Sequence, residues 1–125
     1  MLKDILLVGT GGFAGSVLRY LISAGMMSAA VRTGFPLGTF TVNAVGAFLI
    51  GAFFAVVPGG VWYTLLAAGF CGGFTTFSAF SLESLRLLRD GNYGTATLYI
   101  AGSVAVCIVF AWLGMTTGGK IVKTL

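Results

Sequence analysis

Four long apolar segments account for most of this 125-residue sequence. They lie at about residues 5–24, 37–57, 62–88 and 95–115, and each is close to the roughly 20 residues with which a helix crosses a bilayer. Only 8% of the residues are charged, whereas a soluble domain carries about 25%. The sequence therefore predicts an all-α membrane protein with four transmembrane helices. Because the connections are short, residues 1–125 are expected to form a single four-helix domain.

The residue inventory argues against several classes of function. Histidine is absent, and Cys71 and Cys107 lie in apolar segments, where small buried hydrophobes are the ordinary interpretation. A zinc site, a Cys–His nucleophile pair and a disulfide framework therefore lack their residues. The net charge of +4 comes from seven basic and three acidic residues spread along the chain, which is too few for a nucleic-acid surface. We expect neither an enzyme nor a nucleic-acid-binding protein, and the sequence implies no other protein as a partner.

Positive charges are evenly divided between the two sides of the predicted bundle. Because the number of spans is even, both termini lie on one side. That side carries Lys3, Lys120 and Lys123, and the other side carries Arg32, Arg86 and Arg89. Lysine and arginine in the loops set the orientation of a membrane protein, so a tie favours insertion in both orientations and an antiparallel dual-topology homodimer. The alternative is that one charge is masked and a single orientation wins.

The third segment contains residues that are poorly suited to an uninterrupted helix. Gly72 and Gly73 are followed by Thr75 and Thr76; glycine costs about 1 kcal/mol against alanine in a helix interior, and threonine is conformationally stiff there. Within a membrane, non-helical backbone must be buried in protein or line a wet cavity, and broken helices present carbonyl groups at ion sites. The sequence therefore predicts a third helix that is broken from Gly72 to Thr76 beside a bound ion.

Polar residues of the first two segments allow two interpretations each. Arg19 stands inside the first segment, where arginine costs on the order of 2.5–3.5 kcal/mol; it either extends to the membrane surface or faces protein carbonyls, an acidic partner or an anion vestibule. Asn43 shares a helix face with Thr39, four residues earlier. Its carboxamide either bonds across helices or offers a neutral N–H donor to an anion. The spacing of Gly11 and Gly15 predicts a close helix contact.

A stripe of polar side chains runs along the fourth segment. Its members follow one another at intervals of four residues: Thr95, Tyr99, Ser103 and Cys107. Such spacing places them on one helix face. A single hydroxyl could satisfy itself on the preceding turn, but four polar groups in register favour the lining of a pore or ligand site.

Two aromatic residues follow the predicted break. Phe77 and Phe80 share one helix face, and Ser78 and Ser81 share a neighbouring one. Phenylalanines at this spacing are usually core residues. Beside a helix break and several hydroxyls, their positive ring edges could instead face an anion without binding it as a formal charge would.

Two other classes of membrane protein explain less of the sequence. A small dual-topology multidrug exporter needs a membrane-embedded carboxylate, yet Glu83 lies towards the end of the third segment, where the spacing predicts an ion pair with Arg86 at the membrane surface. A structural membrane subunit would explain the glycines but not the polar stripe or the helix break. An embedded hydrolase would need a base for Ser78 or Ser81, and none is evident.

The sequence resembles the CrcB/Fluc family of fluoride channels over nearly its whole length. Three motifs carry the resemblance: Gly15-x-x-x-Arg19, Gly38-Thr39-x-x-Val42-Asn43-x-x-Gly46 and Gly72-Gly73-x-Thr75-Thr76-Phe77-Ser78-x-Phe80-Ser81-x-Glu83. The resemblance implies an antiparallel dual-topology homodimer with two fluoride pathways. It also implies passive export of F− across the cytoplasmic (inner) membrane of a prokaryote, and hence fluoride resistance.

The resemblance also implies roles for individual residues. Backbone carbonyls at Gly72 and Thr75 are expected to hold a central structural Na+. The ion pathway is expected to include Asn43, Phe77, Phe80, Ser78, Ser81, Tyr99, Ser103, Cys107, Thr39 and Arg19. Position 107 carries a thiol where the resemblance leads us to expect a hydroxyl, and a thiol is the weaker hydrogen-bond donor.

Overall fold

The computed structural model describes all 125 residues, and its regular elements are all helical. In chain order these elements are α1 (Leu2–Gly25), α2 (Met27–Thr33), α3 (Leu37–Val56), α4 (Gly60–Tyr63), a π-helical segment (Thr64–Cys71), α5 (Gly72–Phe74), α6 (Phe77–Arg89) and α7 (Tyr93–Thr124). Four stretches are long and apolar enough to cross a membrane: Leu2–Gly25, Leu37–Val56, Gly60–Arg89 and Tyr93–Thr124. The prediction of an all-α protein with four membrane-spanning helices is confirmed. We call Gly60–Arg89 the third span.

The surface of the chain is dominated by apolar side chains, as lipid contact requires. Only 18 of the 125 residues are buried, while large residues such as Phe13 and Trp112 are 74% and 63% exposed. A soluble monomer rarely exposes continuous apolar surface of this extent. The chain is therefore a multi-pass membrane protein, because hydrocarbon is the solvent that such a surface suits.

Glycines allow α1 to lie directly against the third span. A Cβ atom at Gly11 would collide with the carbonyl oxygen of Leu65, and one at Gly15 would collide with that of Phe70. Both glycines are buried. The close contact predicted from their spacing is therefore present, and it fixes the first half of the third span against α1.

Glycines also allow α7 to lie directly against α3. A Cβ atom at Gly114 would collide with the carbonyl oxygen of Phe48, and Gly118 packs on Ala52. At 1.5 Å per residue, the 32 residues of α7 extend about 48 Å, well beyond the roughly 30 Å of hydrocarbon. The sequence placed the end of this helix near residue 115. The helix continues to Thr124: its contact with α3 extends to Gly118, and no proline ends it.

The third span changes its backbone geometry twice. Its first half contains the π-helical segment, a rare conformation that is often found near functional sites. Further along, Thr75 and Thr76 are extended, with φ −93° and ψ 159° at Thr75 and φ −150° and ψ 116° at Thr76. Gly72 is helical, at φ −61° and ψ −38°, so extended backbone occupies only the last part of the interval for which the sequence predicts a break. Gly73 is required for packing, since a Cβ there would collide with the carbonyl oxygen of Gly12.

Candidate functional site

A cavity of about 500 Å³ opens between α3, the third span and α7. We call it the α3–α7 cavity. Five of the ten predicted pathway residues line it, together with both residues predicted to hold Na+: Asn43, Phe77, Phe80, Ser103, Cys107, Gly72 and Thr75. These residues come from three separate segments of the sequence, and the packing of α3 and α7 on the third span brings them together.

Asn43 ties α3 to the extended backbone of the third span. Its Nδ2 donates a hydrogen bond to the carbonyl oxygen of Thr76 at 3.0 Å, and the backbone N–H of Thr76 donates to its Oδ1 at 2.8 Å. Backbone groups that leave a helix within a membrane need such partners. Of the two roles that the sequence left open, the cross-helix bond is the one observed. One hydrogen of Nδ2 stays available for a ligand, because a carboxamide nitrogen carries two.

Threonine side chains bond to further backbone groups around the extended residues. The side chain of Thr76 caps α6 by accepting a hydrogen bond from the backbone N–H of Ala79 at 3.2 Å. Thr75 donates both its backbone N–H (3.0 Å) and its hydroxyl (2.9 Å) to the carbonyl oxygen of Cys71. These bonds satisfy part of the extended backbone inside an apolar span, while the carbonyl oxygen of Thr75 accepts no hydrogen bond within the chain.

Arg19 faces a backbone carbonyl and lies outside the α3–α7 cavity. Its Nε donates to the carbonyl oxygen of Gly73 at 2.9 Å, and Ser16 approaches the same oxygen at 3.5 Å. Among the alternatives for this residue, the structure shows the contact with a protein carbonyl. The guanidinium thereby fixes the turn of the third span that comes directly before the extended threonines.

Glu83 does not have the partner that its spacing in the sequence predicts. It forms no ion pair with Arg86; its carboxylate accepts hydrogen bonds from the hydroxyls of Thr39 (2.7 Å) and Tyr99 (2.8 Å). The only ion pair in the chain joins the N-terminus to Asp4. Arg86 is exposed while Glu83 is half-buried, because the carboxylate turns inward to two buried hydroxyls that need an acceptor. We call Thr39, Glu83 and Tyr99 the Glu83 triad.

The sequence contained a signal for this triad that spacing along single helices does not reveal. Thr39 and Tyr99 are 6% and 0% exposed, and buried hydroxyl groups require an acceptor. Glu83 is the one carboxylate within the third span. Matching it to hydroxyl groups on other helices would have made this contact one candidate, but the burial that singles out Thr39 and Tyr99 is known only from the structure. The prediction from sequence assigns Thr39 to a helix face shared with Asn43, and it assigns Tyr99 to the polar stripe of the fourth segment.

A row of aromatic rings connects the α3–α7 cavity with the Glu83 triad. The ring centroids of Phe77 and Phe80 are 5.5 Å apart at an interplanar angle of 45°, and those of Phe80 and Tyr99 are 5.3 Å apart at 50°. Neither pair is stacked face to face, so ring edges are turned towards neighbouring groups. Phe77 is 78% exposed, which rules out the ordinary interpretation of this residue as a core residue of the single chain.

Ser103 is the one buried side chain whose polar atom has no hydrogen-bond partner. It is 5% exposed and lines the α3–α7 cavity. Ser84 gives the contrast: it is buried as well, but its hydroxyl donates to the carbonyl oxygen of Phe80 at 2.7 Å. An unsatisfied buried hydroxyl costs about 1–3 kcal/mol. The hydroxyl of Ser103 is therefore free to donate a hydrogen bond within the cavity lining.

Five predicted pathway residues do not line the α3–α7 cavity: Arg19, Thr39, Tyr99, Ser78 and Ser81. Thr39 and Tyr99 belong to the Glu83 triad. Ser81 donates to the carbonyl oxygen of Phe77 at 2.9 Å and is exposed. Ser78 is exposed and lies 3.2 Å from the hydroxyl of Thr76. Within a single chain, these two serines therefore belong to the outer surface of α6.

The chain was compared with known protein families and with individual proteins. The model of the family described as CrcB-like protein, Camphor Resistance (CrcB), matches residues 6–115. The chain belongs to the CrcB family. Its resemblance to that family, inferred from three motifs, is thereby confirmed.

Relatives from distant bacteria are similar to the chain over most of its length. A protein of Bacillus cereus named fluoride-specific ion channel FluC 2 is 45% identical over 119 residues, which cover 93% of this chain and 98% of the relative. Proteins named fluoride-specific ion channel FluC from Prosthecochloris aestuarii and Chlorobaculum tepidum are each 48% identical, and the matches cover 89% and 84% of this chain and 89% and 86% of those relatives. The names of these CrcB relatives describe ion channels, in agreement with the prediction that this chain is not an enzyme.

Proposed function

We propose that this chain is a fluoride-selective channel through which F− leaves the cytoplasm passively, across the cytoplasmic (inner) membrane of a prokaryote. A single four-helix domain over residues 1–125 would carry this function and confer fluoride resistance. Membership of the CrcB family and the names of relatives at 45–48% identity support fluoride as the ion. Within this chain, the unpartnered hydroxyl of Ser103 in the α3–α7 cavity is the observation that carries the proposal.

The cavity lining suits a small anion that must lose its water. Ser103 offers an O–H donor, and Asn43 offers the spare hydrogen of Nδ2. The rings of Phe77 and Phe80 border the same space and add positive edges without a formal charge. Conduction requires binding that is favourable enough to admit an ion and weak enough to release it, and neutral donors meet that requirement.

The Glu83 triad would set the hydroxyl directions at one end of this pathway. An ionised carboxylate only accepts hydrogen bonds, so Glu83 holds the protons of Thr39 and Tyr99 towards itself. The row of rings from Tyr99 through Phe80 to Phe77 would then connect the triad with the cavity. We assign Glu83 a positioning role, because a bare carboxylate would repel fluoride.

The functional unit would be an antiparallel dual-topology homodimer with two pathways. The equal distribution of Lys and Arg between the two sides supports dual insertion. The exposed ring of Phe77 and the open Gly72, at which a Cβ would meet nothing within 4 Å, support a partner on this face. A second copy would cover both residues.

A structural Na+ fits the groups that this face presents. The chain has no group of three or more His, Cys, Asp or Glu residues that could hold a metal, so backbone oxygens are the available ligands, and these suit a hard cation. Gly72 and Thr75 both line the α3–α7 cavity, and Thr75 has left helical geometry. The broken helix would thus supply carbonyls from both copies. The cation would add a fixed positive charge beside the anion pathway.

One observation favours a second function. Glu83 is a half-buried carboxylate within the third span, and a proton-coupled multidrug exporter needs such a group. Both Glu83 oxygens, however, already accept hydrogen bonds. An exporter would move organic cations in response to a pH gradient, whereas a channel would move fluoride without one.

The proposal is tested by replacing Ser103 with alanine in protein reconstituted into liposomes. Loss of one hydrogen bond to a charged ligand, worth about 1.5–3 kcal/mol, is expected to slow fluoride efflux by about tenfold or more. Thermal stability in detergent should be unchanged or slightly higher, because an unsatisfied hydroxyl is removed.

Ser84→Ala is the matched control, because Ser84 is also buried but already has a partner. It should keep its fluoride efflux and lose some stability. Full efflux through S103A would show that the pathway does not depend on this hydroxyl.

A further inference from the structure

Two cysteines line the α3–α7 cavity and differ in burial. Cys71 ends the π-helical segment and is only 3% exposed, whereas Cys107 on α7 is half-buried. Both border the cavity, and both are free thiols. The sequence suggested that both were small buried hydrophobes; for Cys107, the structure shows a thiol in the wall of a cavity that opens to the outside of the chain.

Ser103, a polar neighbour of Cys107, indicates that a small polar molecule can reach this part of the cavity wall. Ser103 lies one helical turn earlier on α7, is 5% exposed and has no hydrogen-bond partner for its hydroxyl. A buried hydroxyl without a partner is rare and costly. Ser103 lines the same cavity as Cys107, so a small polar molecule that reaches this hydroxyl also comes close to the thiol.

We infer that Cys107 is a covalent modification site at which a small thiol-specific electrophile enters the α3–α7 cavity and blocks ion passage, while Cys71 is spared. The blocking part of this inference rests on the proposed channel function. The natural class of reagent is a small, uncharged sulfenylating agent, because the cavity lining is largely apolar and carries no ionised side chain.

The reaction of the thiol with methyl methanethiosulfonate needs no further oxidant or reductant, because the reagent supplies the leaving group. The Cys107 sulfur, as thiolate, attacks the methylthio sulfur of the reagent. The reagent's S–S bond breaks, methanesulfinate leaves with the electron pair, and the thiol proton passes to water. The product carries a Cys107–S–S–CH3 group, and a dithiol reductant reverses it by thiol–disulfide exchange.

Modification would block the pathway by changing its polarity. The S–H donor is replaced by an apolar methylthio group one turn from Ser103. Apolar constrictions close ion pathways by excluding water. The thiol is therefore a position at which a single small adduct replaces one of the few polar groups of the wall by an apolar one.

The experiment treats the full-length protein in liposomes with methyl methanethiosulfonate. Three proteins are compared: the unsubstituted chain, Cys107→Ser and Cys71→Ala. Each is assayed for fluoride efflux before treatment, after treatment and after dithiothreitol, and each rate is referred to the untreated rate of the same protein. Intact mass and peptide mapping identify the modified residue, which gives a readout that does not depend on transport.

We expect one methylthio group, on Cys107, and loss of most fluoride efflux, which dithiothreitol restores. C107S should gain no adduct and keep its own rate, and C71A should behave like the unsubstituted chain. The inference is overturned if Cys71 is modified in the folded protein, if Cys107 reacts only after denaturation, or if complete modification of Cys107 leaves efflux unchanged. Absence of efflux from untreated protein would refute the proposed function and the block, while the adduct map would still show which thiol the cavity admits.

Discussion

Glu83 shows how a single charged residue can change its meaning between sequence and structure. Its spacing to Arg86 predicts an ion pair at the membrane surface, yet its carboxylate accepts hydrogen bonds from Thr39 and Tyr99. An exposed ion pair contributes little, whereas two hydrogen bonds to a half-buried carboxylate are worth more. The two arrangements therefore make opposite predictions for substitutions at positions 83 and 86.

Replacing Glu83 with glutamine tests this difference. Glutamine keeps the size of the side chain but replaces one carboxylate oxygen by an NH2 donor, so either Thr39 or Tyr99 loses the acceptor for its hydroxyl proton. We expect the free energy of unfolding to fall by about 1–3 kcal/mol, measured by thermal or denaturant unfolding in detergent. Arg86→Gln is the control and should change stability little. Equal losses in the two variants would instead indicate the ion pair.

At the level of elements, small residues determine which helices touch. The α1 contact with the third span and the α3–α7 contact both depend on glycines whose Cβ positions are occupied by carbonyl oxygens of the facing helix. In membranes, such close approach provides much of the association between helices. The extended pair Thr75 and Thr76 of the third span lines the α3–α7 cavity.

Gly114→Ala tests the contact between α3 and α7. The added Cβ would collide with the carbonyl oxygen of Phe48, so the helices must separate, at a cost of about 1–3 kcal/mol. Gly119→Ala, five residues later on the same helix, meets nothing within 4 Å and should raise stability by up to about 1 kcal/mol. Thermal unfolding of both variants in detergent measures the difference. Similar losses in the two variants would contradict the close contact.

Features of the fold that follow from the spacing of residues along one helix could be predicted. Features that depend on which residues meet across helices could not. Apolar run lengths gave the four spans, and the spacing of Gly11 and Gly15 gave their helix contact. The extent of α7 was underestimated because the apolar run ends near residue 115, whereas the helix continues past its contact at Gly118 as an exposed end. The unpartnered state of Ser103 could not be foreseen, since a serine in a helix ordinarily bonds to the preceding turn.

At the scale of the whole molecule, the balance of charges predicts how the chain inserts. Three basic residues on each side would leave the insertion machinery without a preferred orientation. A Thr124→Cys variant in a Cys71→Ala, Cys107→Ser background can be labelled in intact cells with a membrane-impermeant maleimide. We expect about half of the molecules to react from outside. Labelling of all molecules, or of none, would mean a single orientation and would rule out an antiparallel dimer.

Conduction of fluoride with exclusion of chloride is the property on which the proposed function depends. The most direct measurement is ion efflux from liposomes that contain the purified protein, recorded with fluoride-selective and chloride-selective electrodes in parallel and without a pH gradient. We expect rapid fluoride efflux together with chloride efflux at the rate of protein-free liposomes. Fluoride efflux no faster than from protein-free liposomes, from protein shown to be folded, would contradict it, as would equal efflux of the two ions.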